Sequence, residues 1–228
     1  MTELVRMNKD SLNNNPIAWD SDTPLLKAVF LNCMNMKKSI HDIRSDPTLK
    51  KAELIFLAET WLQVHESLSI ENYLVENINV GNGKGLSIFI KNSSTFKLKA
   101  LIKKEKLQIA KYSNNDIDII GVYRSSLGNL NDLHEEIKRQ IEQNKDCVIL
   151  GDFNWCCIEN RNKVSQYLEA EGFTQLVTEA THRQGRAIDH CYVKLQKNEP
   201  DLHLHSNYYS DHSALCLALV NKQGEDME

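Results

Sequence analysis

Short runs of β-branched and large apolar residues recur along nearly the whole chain, and most of them stop at a polar residue. LLKAVFLN, ELIFLAE, GLSIFIK, TFKLKALI, KLQIAKY and DIDIIGVY succeed one another in the first half, and CVILGDFN, AIDHCYV, DLHLH and SALCLALV follow in the second. GLSIFIK, TFKLKALI and KLQIAKY alternate in polarity, whereas DIDIIGVY is an unbroken apolar run of the kind buried on both faces. A chain patterned in this way builds sheets, and some of its strands need cover above and below.

Helices are few. One is expected from about Lys37 to Arg44, stopped by Ser45-Asp46-Pro47, because proline disfavours helix in the residue before it. Leu130, Leu133, Ile137 and Ile141 recur at helical spacing opposite a charged face, which predicts a surface helix covering the sheet. A further helix is expected over residues 160–170, with Gly172 as its cap. Residues 1–24, rich in Asn, Asp and Ser, read as a loosely held arm, residues 25–222 as one domain and residues 223–228 as a tail. At 228 residues the chain is long enough to bury a sizeable core.

No stretch approaches the ~18 consecutive apolar residues of a membrane span. The opening MTELVRMNKDSLNNNP lacks an apolar core followed by small residues, so no secretory signal is expected, and the location is expected to be intracellular, in nucleus or cytoplasm. The six cysteines lack C-x-x-C spacing, and most lie in apolar runs where cysteine acts as a small hydrophobe. A net charge of −4 gives no bulk attraction to nucleic acid, so a local basic face would have to supply it. Lys97, Lys99, Lys103, Lys104, Lys106 and Lys111 are candidates, although alternating strands place lysines on a solvated face without any ligand.

The polar residues at the strand ends carry more information. They are Asn32, Glu59, Tyr123-Arg124, Asp152 and Asn154, Asp189-His190, and Ser210-Asp211-His212. Strand ends are where a rigid sheet presents side chains to a ligand. Taken one at a time each has a plain structural explanation: Glu59 can cap a helix, Asp152 can open a turn, and His212 can be a satisfied surface histidine.

Together and in this order they resemble the endonuclease/exonuclease/phosphatase superfamily. In its pattern an Asn follows the first core strand, a Glu the second and GD-x-N a middle strand, an Asp lies in I-D-[YH], and SDH comes near the end. The resemblance runs from about Leu25 to Val220. LNCMNMKKSIHDI, AETWL, VILGDFN, THRQGRAIDH and YYSDHSAL look most like the apurinic-like endonuclease domains of mobile elements, of non-LTR retrotransposon or Helitron type. The resemblance implies a DNase I-like, four-layer α/β sandwich: two packed mixed β-sheets flanked by helices, with the site at one end of the sheets. Periodicity alone gives only an α/β domain with many strands.

Phosphodiester hydrolysis needs a hard cation on oxygen ligands, an activated water and donors for the charge that builds on the phosphate. By similarity, Glu59 is the principal ligand of Mg²⁺ or Mn²⁺, with Asn32 and Asp211 nearby. Asp152 is matched to the group that orients or deprotonates water, Asn154 to a phosphate donor, and His212, paired with Asp189, to a contact with a non-bridging oxygen. Tyr123 stands where apurinic endonucleases carry tyrosine. Arg124, His182, Arg183 and Arg186 are candidate substrate contacts. Met34 departs from the pattern, because apurinic endonucleases have an acid there, which puts a second metal position in doubt.

The function expected from this resemblance is a DNA endonuclease that nicks one strand and leaves a 3′-hydroxyl, as a monomer or as a domain of a larger mobile-element polypeptide. The rivals are a phosphohydrolase acting on a phosphomonoester, phosphoinositide, protein–DNA adduct or RNA, and a binding module that kept the fold and lost catalysis.

Overall fold

The computed structural model describes residues 19–20, 24–81, 84–159 and 161–221. Its first half runs β1 (Leu26–Asn32), α1 (Met36–Ser45), α2 (Pro47–Lys51), β2 (Leu54–Ala58), β3 (Tyr73–Ile78) and β4 (Leu86–Lys91). Next come β5 (Lys97–Lys104), β6 (Leu107–Ser113), β7 (Ile117–Arg124), α3 (Leu130–Gln140) and β8 (Asp146–Asp152). The chain ends with α4 (Lys163–Ala170), β9 (Thr174–Gln175), β10 (Asp189–Lys194), β11 (Asn198–His205) and β12 (Ala214–Asn221). The strands form two six-stranded mixed sheets, ordered β11-β12-β1-β2-β4-β3 and β5-β6-β7-β8-β10-β9. Each has a parallel pair at its centre, β1 with β2 and β7 with β8.

The continuous apolar runs are explained by packing on both faces. In β1, Leu26, Ala28 and Phe30 pack between the sheets with Ala110, Ile119 and Leu150. Val29 and Leu31 point the other way, onto Met36, Ile40 and Ile43 of α1. β7 repeats the pattern: Ile117, Ile119 and Tyr123 join the inter-sheet core, and Ile120 and Val122 meet Leu133 and Ile137 of α3. The layers are therefore α1 and α2, first sheet, second sheet, α3 and α4, which is the expected four-layer sandwich. Gly121 lies where Phe56 of β2 crosses β7, and a Cβ there would fall 2.2 Å from the Phe56 ring, so the sheets close only over glycine.

Several local features depart from the sequence pattern. Ser45-Asp46-Pro47 ends α1 and also begins α2. The Asp46 N–H bonds to Asp42 O, its carboxylate accepts the N–H groups of Thr48 and Leu49, and Pro47 takes the first helical position. β3 forms where no strand is expected, with only Ile78 of its residues buried, as suits an edge strand. α3 stops at Gln140, leaving Ile141 extended just beyond it. α4 begins after Asn162, whose side chain caps it, and Gly172 takes a left-handed conformation (φ +87°) past its end, as expected.

Residues 1–18, 21–23 and 222–228, most of the expected arm and tail, lie outside the described residues. Trp19 is packed and not loosely held: it is buried, edge-on to His203 at 5.4 Å between ring centroids. Lys111 leaves the candidate basic face altogether. It is buried and bonded to Asp118 and to Glu142, each at 2.7 Å, while Lys104 pairs with Glu136 at 2.8 Å. No helix among the described residues is long and apolar enough to cross a membrane.

Candidate active site

Sheet register brings the strand-end polar residues to one edge of the sandwich. β1 and β2 are parallel with Asn32 opposite Ala58, so Asn32 and Glu59 emerge side by side. In the other sheet Tyr123 is opposite Asp152. β10 and β12 run antiparallel to β8 and β1, so their starts arrive at the same edge. Asp189 thus faces Asp152 across the ladder, and Phe30 opposite Leu215 brings Ser210-Asp211-His212 next to Asn32.

A cleft of about 250 Å³ opens between these ends, lined by Asn32, Met34, Glu59, Asp152, Asn154, His182, Gln184, Arg186, Ile188, Asp211 and His212. A larger hollow of about 660 Å³, beside Lys97, Ser113 and Asp116, lies at the opposite end of the strands. Its lining combines lysines, amides and isolated carboxylates without a histidine, so the smaller cleft is the chemically equipped one.

Asp152 is fully buried. Asn32 Nδ2 donates to its Oδ2 at 2.9 Å, and the Asn154 N–H donates to its Oδ1 at 2.8 Å. Burial first, and then the neighbouring Asp189 charge, lift the Asp152 carboxyl above the usual carboxylate range, against the pull of His212 and these donors. His212 Nδ1 stands 2.8 Å from Asp189 Oδ2. Since an ionised carboxylate only accepts, Nδ1 carries the proton and Nε2 is turned away from Asp189. Burial disfavours the imidazolium, but the Asp189 charge and hydrogen bond, with Asp152 and Asp211 behind them, outweigh it and raise His212 to about 9.

Tyr123 donates its hydroxyl to Glu59 Oε1 at 3.0 Å. Burial, reinforced by the Glu59 and Asp152 charges, raises the phenol, which stays a donor. Met34 (φ 51°), Glu59 (φ 51°) and Asn154 (φ 54°) all turn the chain through the left-handed region immediately after a core strand. Such conformations cost about 1–3 kcal/mol each in non-glycine residues and concentrate at functional edges.

The remaining expected residues divide. His182 lines the cleft with Nε2 at 3.1 Å from Asp211 Oδ2, and Arg186 lines it as an exposed cation. Arg183 is exposed, outside the cleft lining, and donates to the Ser210 carbonyl at 3.3 Å. Arg124, a candidate substrate contact, is turned into the protein. It is buried, with its guanidinium donating to the carbonyls of Phe153 at 2.7 Å, Gly128 at 2.5 Å and Asn154 at 3.2 Å, and it lies over the Trp155 ring. It ties the loop after β8 to the end of β7. His190 is buried too, stacked on Phe153 at 4.5 Å and held neutral by burial.

Two supporting hydroxyls lie within the SDH and THRQGRAIDH motifs, which assign them no role. Ser210 Oγ donates to the Asn32 carbonyl at 2.6 Å and accepts the His212 N–H at 3.0 Å, tying the segment before β12 to the end of β1. Thr181 Oγ1 accepts the N–H groups of Ile188 and Asp189, each at 3.1 Å. Their sequence signal is membership of those motifs, and the hydrogen bonds give each its role.

The cleft suits a hard divalent cation. Glu59, Asp211 and the Asn32 side-chain carbonyl offer oxygen ligands without a thiolate among them. Asp211 Oδ1 is buried and without a hydrogen-bond partner among the described residues, as is Asp189 Oδ1, so the site holds more negative charge than its own donors satisfy.

Comparison with known proteins agrees with this architecture. The fold is similar to the endonuclease domain of TRAS1, a telomere-specific non-LTR retrotransposon, with a TM-score of 0.66 at 12% identity over 87% of this chain and 99% of that one. It is similar to an AP endonuclease from Archaeoglobus fulgidus, with a TM-score of 0.66 at 14% identity over 85% and 98%. A 3′-5′ exonuclease from Neisseria meningitidis gives a TM-score of 0.62 at 15% identity over 86% and 100%. No curated protein matches the sequence. The pattern of the Endonuclease/Exonuclease/phosphatase family matches residues 31–212, and the chain belongs to that family.

Proposed function

We propose that this chain is a Mg²⁺- or Mn²⁺-dependent phosphodiesterase that cuts one strand of DNA and leaves a 3′-hydroxyl. The observation that carries the reading is the convergence of Glu59, Asp152, Asp211 and the Asp189-backed His212 on one open cleft at the end of two rigid sheets. Glu59, Asn32 and Asp211 would hold the cation, which when bound withdraws charge from the phosphate.

The chain's own groups divide the remaining work. Asp152, aimed by Asn32 and the Asn154 N–H, takes a proton from the attacking water; its raised affinity for protons suits a general base. Water oxygen bonds to phosphorus, the bond from phosphorus to the 3′ oxygen breaks with its electron pair on that oxygen, and the oxygen takes a proton from solvent to end as the hydroxyl. His212, its Nδ1 fixed on Asp189, directs a protonated Nε2 at a non-bridging oxygen. Asn154 spends one amide hydrogen on the Arg124 carbonyl at 2.9 Å and keeps the other for the phosphate. Tyr123 holds Glu59 in place.

DNA is favoured as substrate by the similarity to an AP endonuclease and to a retrotransposon endonuclease domain. A substrate panel tests this: supercoiled plasmid, duplex with an abasic site, RNA and phosphoinositide vesicles, each in Mg²⁺ and in EDTA. Cleavage confined to one of the DNA substrates and extension of the new end by a polymerase are expected. Turnover of RNA or phosphoinositide alone would refute the DNA reading.

A further inference from the structure

His182 and Asp211 form a second histidine–carboxylate pair beside the Asp189–His212 pair, and the two imidazole rings meet edge to face at 4.7 Å between centroids. The proton on His182 can be placed. Its Nδ1 accepts the backbone N–H of Gln184 at 3.1 Å, and since an amide N–H can only donate, Nδ1 is bare and Nε2 carries the hydrogen. Nε2–H therefore donates to Asp211 Oδ2 at 3.1 Å. Both nitrogens are engaged, so His182 has neither a lone pair for an ion nor a free donor for a phosphate.

The backbone fixes the ring as firmly as the side chain does. The His182 N–H bonds to Arg186 O at 3.0 Å, closing a tight turn, and the Gly185 N–H returns to His182 O at 2.9 Å. The Arg183 N–H reaches Asp211 O at 2.8 Å, and the Ser213 N–H reaches Thr181 O at 2.7 Å, so the His182 turn is laced to the segment that carries Asp211. Asp211 is gripped on Oδ2, while Oδ1 is buried and unpartnered among the described residues, 3.8 Å from His212 Nε2.

We propose that His182 is a positioning residue: its Nε2–H holds one oxygen of Asp211 so that the other stays turned toward the cation. The inference rests on the reading of Asp211 as a metal ligand given above. It assigns to His182 a role distinct from substrate contact, in which donors behind a ligating carboxylate set its orientation and its strength as a ligand.

Two substitutions separate the two ring nitrogens. His182→Asn can keep an acceptor near the Gln184 N–H but is too short to reach Asp211, whereas His182→Gln can carry an amide donor to where Nε2 stood. Mn²⁺ binding to the DNA-free protein, followed by electron paramagnetic resonance, is the readout, with thermal melts alongside. The expected result is Mn²⁺ binding weakened about tenfold or more in His182→Asn, near-wild-type binding in His182→Gln, and similar melts for both. Wild-type Mn²⁺ affinity in His182→Asn would overturn the proposal, as would equal weakening in both variants with lowered melts, which marks a structural turn. So would unchanged Mn²⁺ affinity with weakened DNA binding, which marks a substrate contact. Asp211→Asn separates the two layers of argument: normal Mn²⁺ binding there removes the ligand reading itself, whereas weak binding there beside normal binding in His182→Asn overturns the positioning role alone.

Discussion

At the scale of single residues, the site's carboxylates owe their settings to neighbours that a motif does not show. Asp152 is held by Asn32 and the Asn154 N–H and raised by burial and by Asp189, although GDFN alone reads equally well as a turn. Asp152→Asn should lower cleavage by about 10²–10⁴-fold, the worth of a general base, and Glu59→Gln should be comparably damaging, with melting temperatures close to wild type in both. Near-wild-type turnover by either variant, measured on plasmid, would remove that residue's assignment. Arg124 shows the opposite case: an arginine following a strand reads as a phosphate grip or as exposed surface, and the structure gives its guanidinium three carbonyl partners. Arg124→Ala should destabilise by about 2 kcal/mol by stranding the buried Phe153 carbonyl and two half-buried ones. A denaturant titration checks this, and a lowered affinity for DNA with unchanged stability would contradict it.

Among the elements, strands buried on both faces were legible because their apolar runs are continuous. β3 was not, since an edge strand with one buried residue carries no such run. Lys111 was misplaced for a related reason. KLQIAKY alternates as if its lysines faced water, but the segment after α3 brings Glu142 over it and β7 presents Asp118 from the next strand. Asp118 sits between Lys111 and Lys145, with Nζ at 2.7 and 2.9 Å. Burial raises its pKa, but hydrogen bonds from Lys111, Ser113 and Lys145 outweigh that and lower it. A carboxyl lowered in the folded state contributes stability that is complete above the unfolded value of about 3.9 and is lost as pH falls through the folded one. Asp118→Asn should therefore cost about 3 kcal/mol near neutrality by leaving buried Lys111 and half-buried Lys145 each short of a partner. In urea, its gap to wild type should narrow below about pH 4, and a gap independent of pH would contradict the pairing. Gly121→Ala should cost about 1–3 kcal/mol, because the added methyl meets the Phe56 ring; an unchanged denaturation midpoint would mean that the sheets can separate there at no cost.

For the whole molecule, the sandwich was anticipated through the family resemblance carried by the order of Asn32, Glu59, Asp152, Asp189 and Asp211-His212, whereas periodicity alone gave only an α/β domain with many strands. The structure adds that parallel central strands bring those ends to one edge. Which cations face the substrate was not legible, since that depends on how loops fold back over the edge. With a net charge of −4, the chain has no long-range attraction to DNA, so on the proposed reading binding would fall to local groups such as Arg186 at the cleft. In an Asp152→Asn background with Ca²⁺, Arg186→Ala should reduce the slope of log affinity against log salt by about 0.9, one phosphate contact on duplex DNA. An unchanged slope would make Arg186 solvated surface. The central claim, that this constellation hydrolyses DNA with a divalent cation, is tested most directly by conversion of supercoiled plasmid to open circle by wild type in Mg²⁺, by wild type in EDTA and by Asp152→Asn in Mg²⁺. Nicking in the first reaction and its loss in the other two is the predicted result; nicking that survives chelation, or that Asp152→Asn performs as fast as wild type, would contradict it.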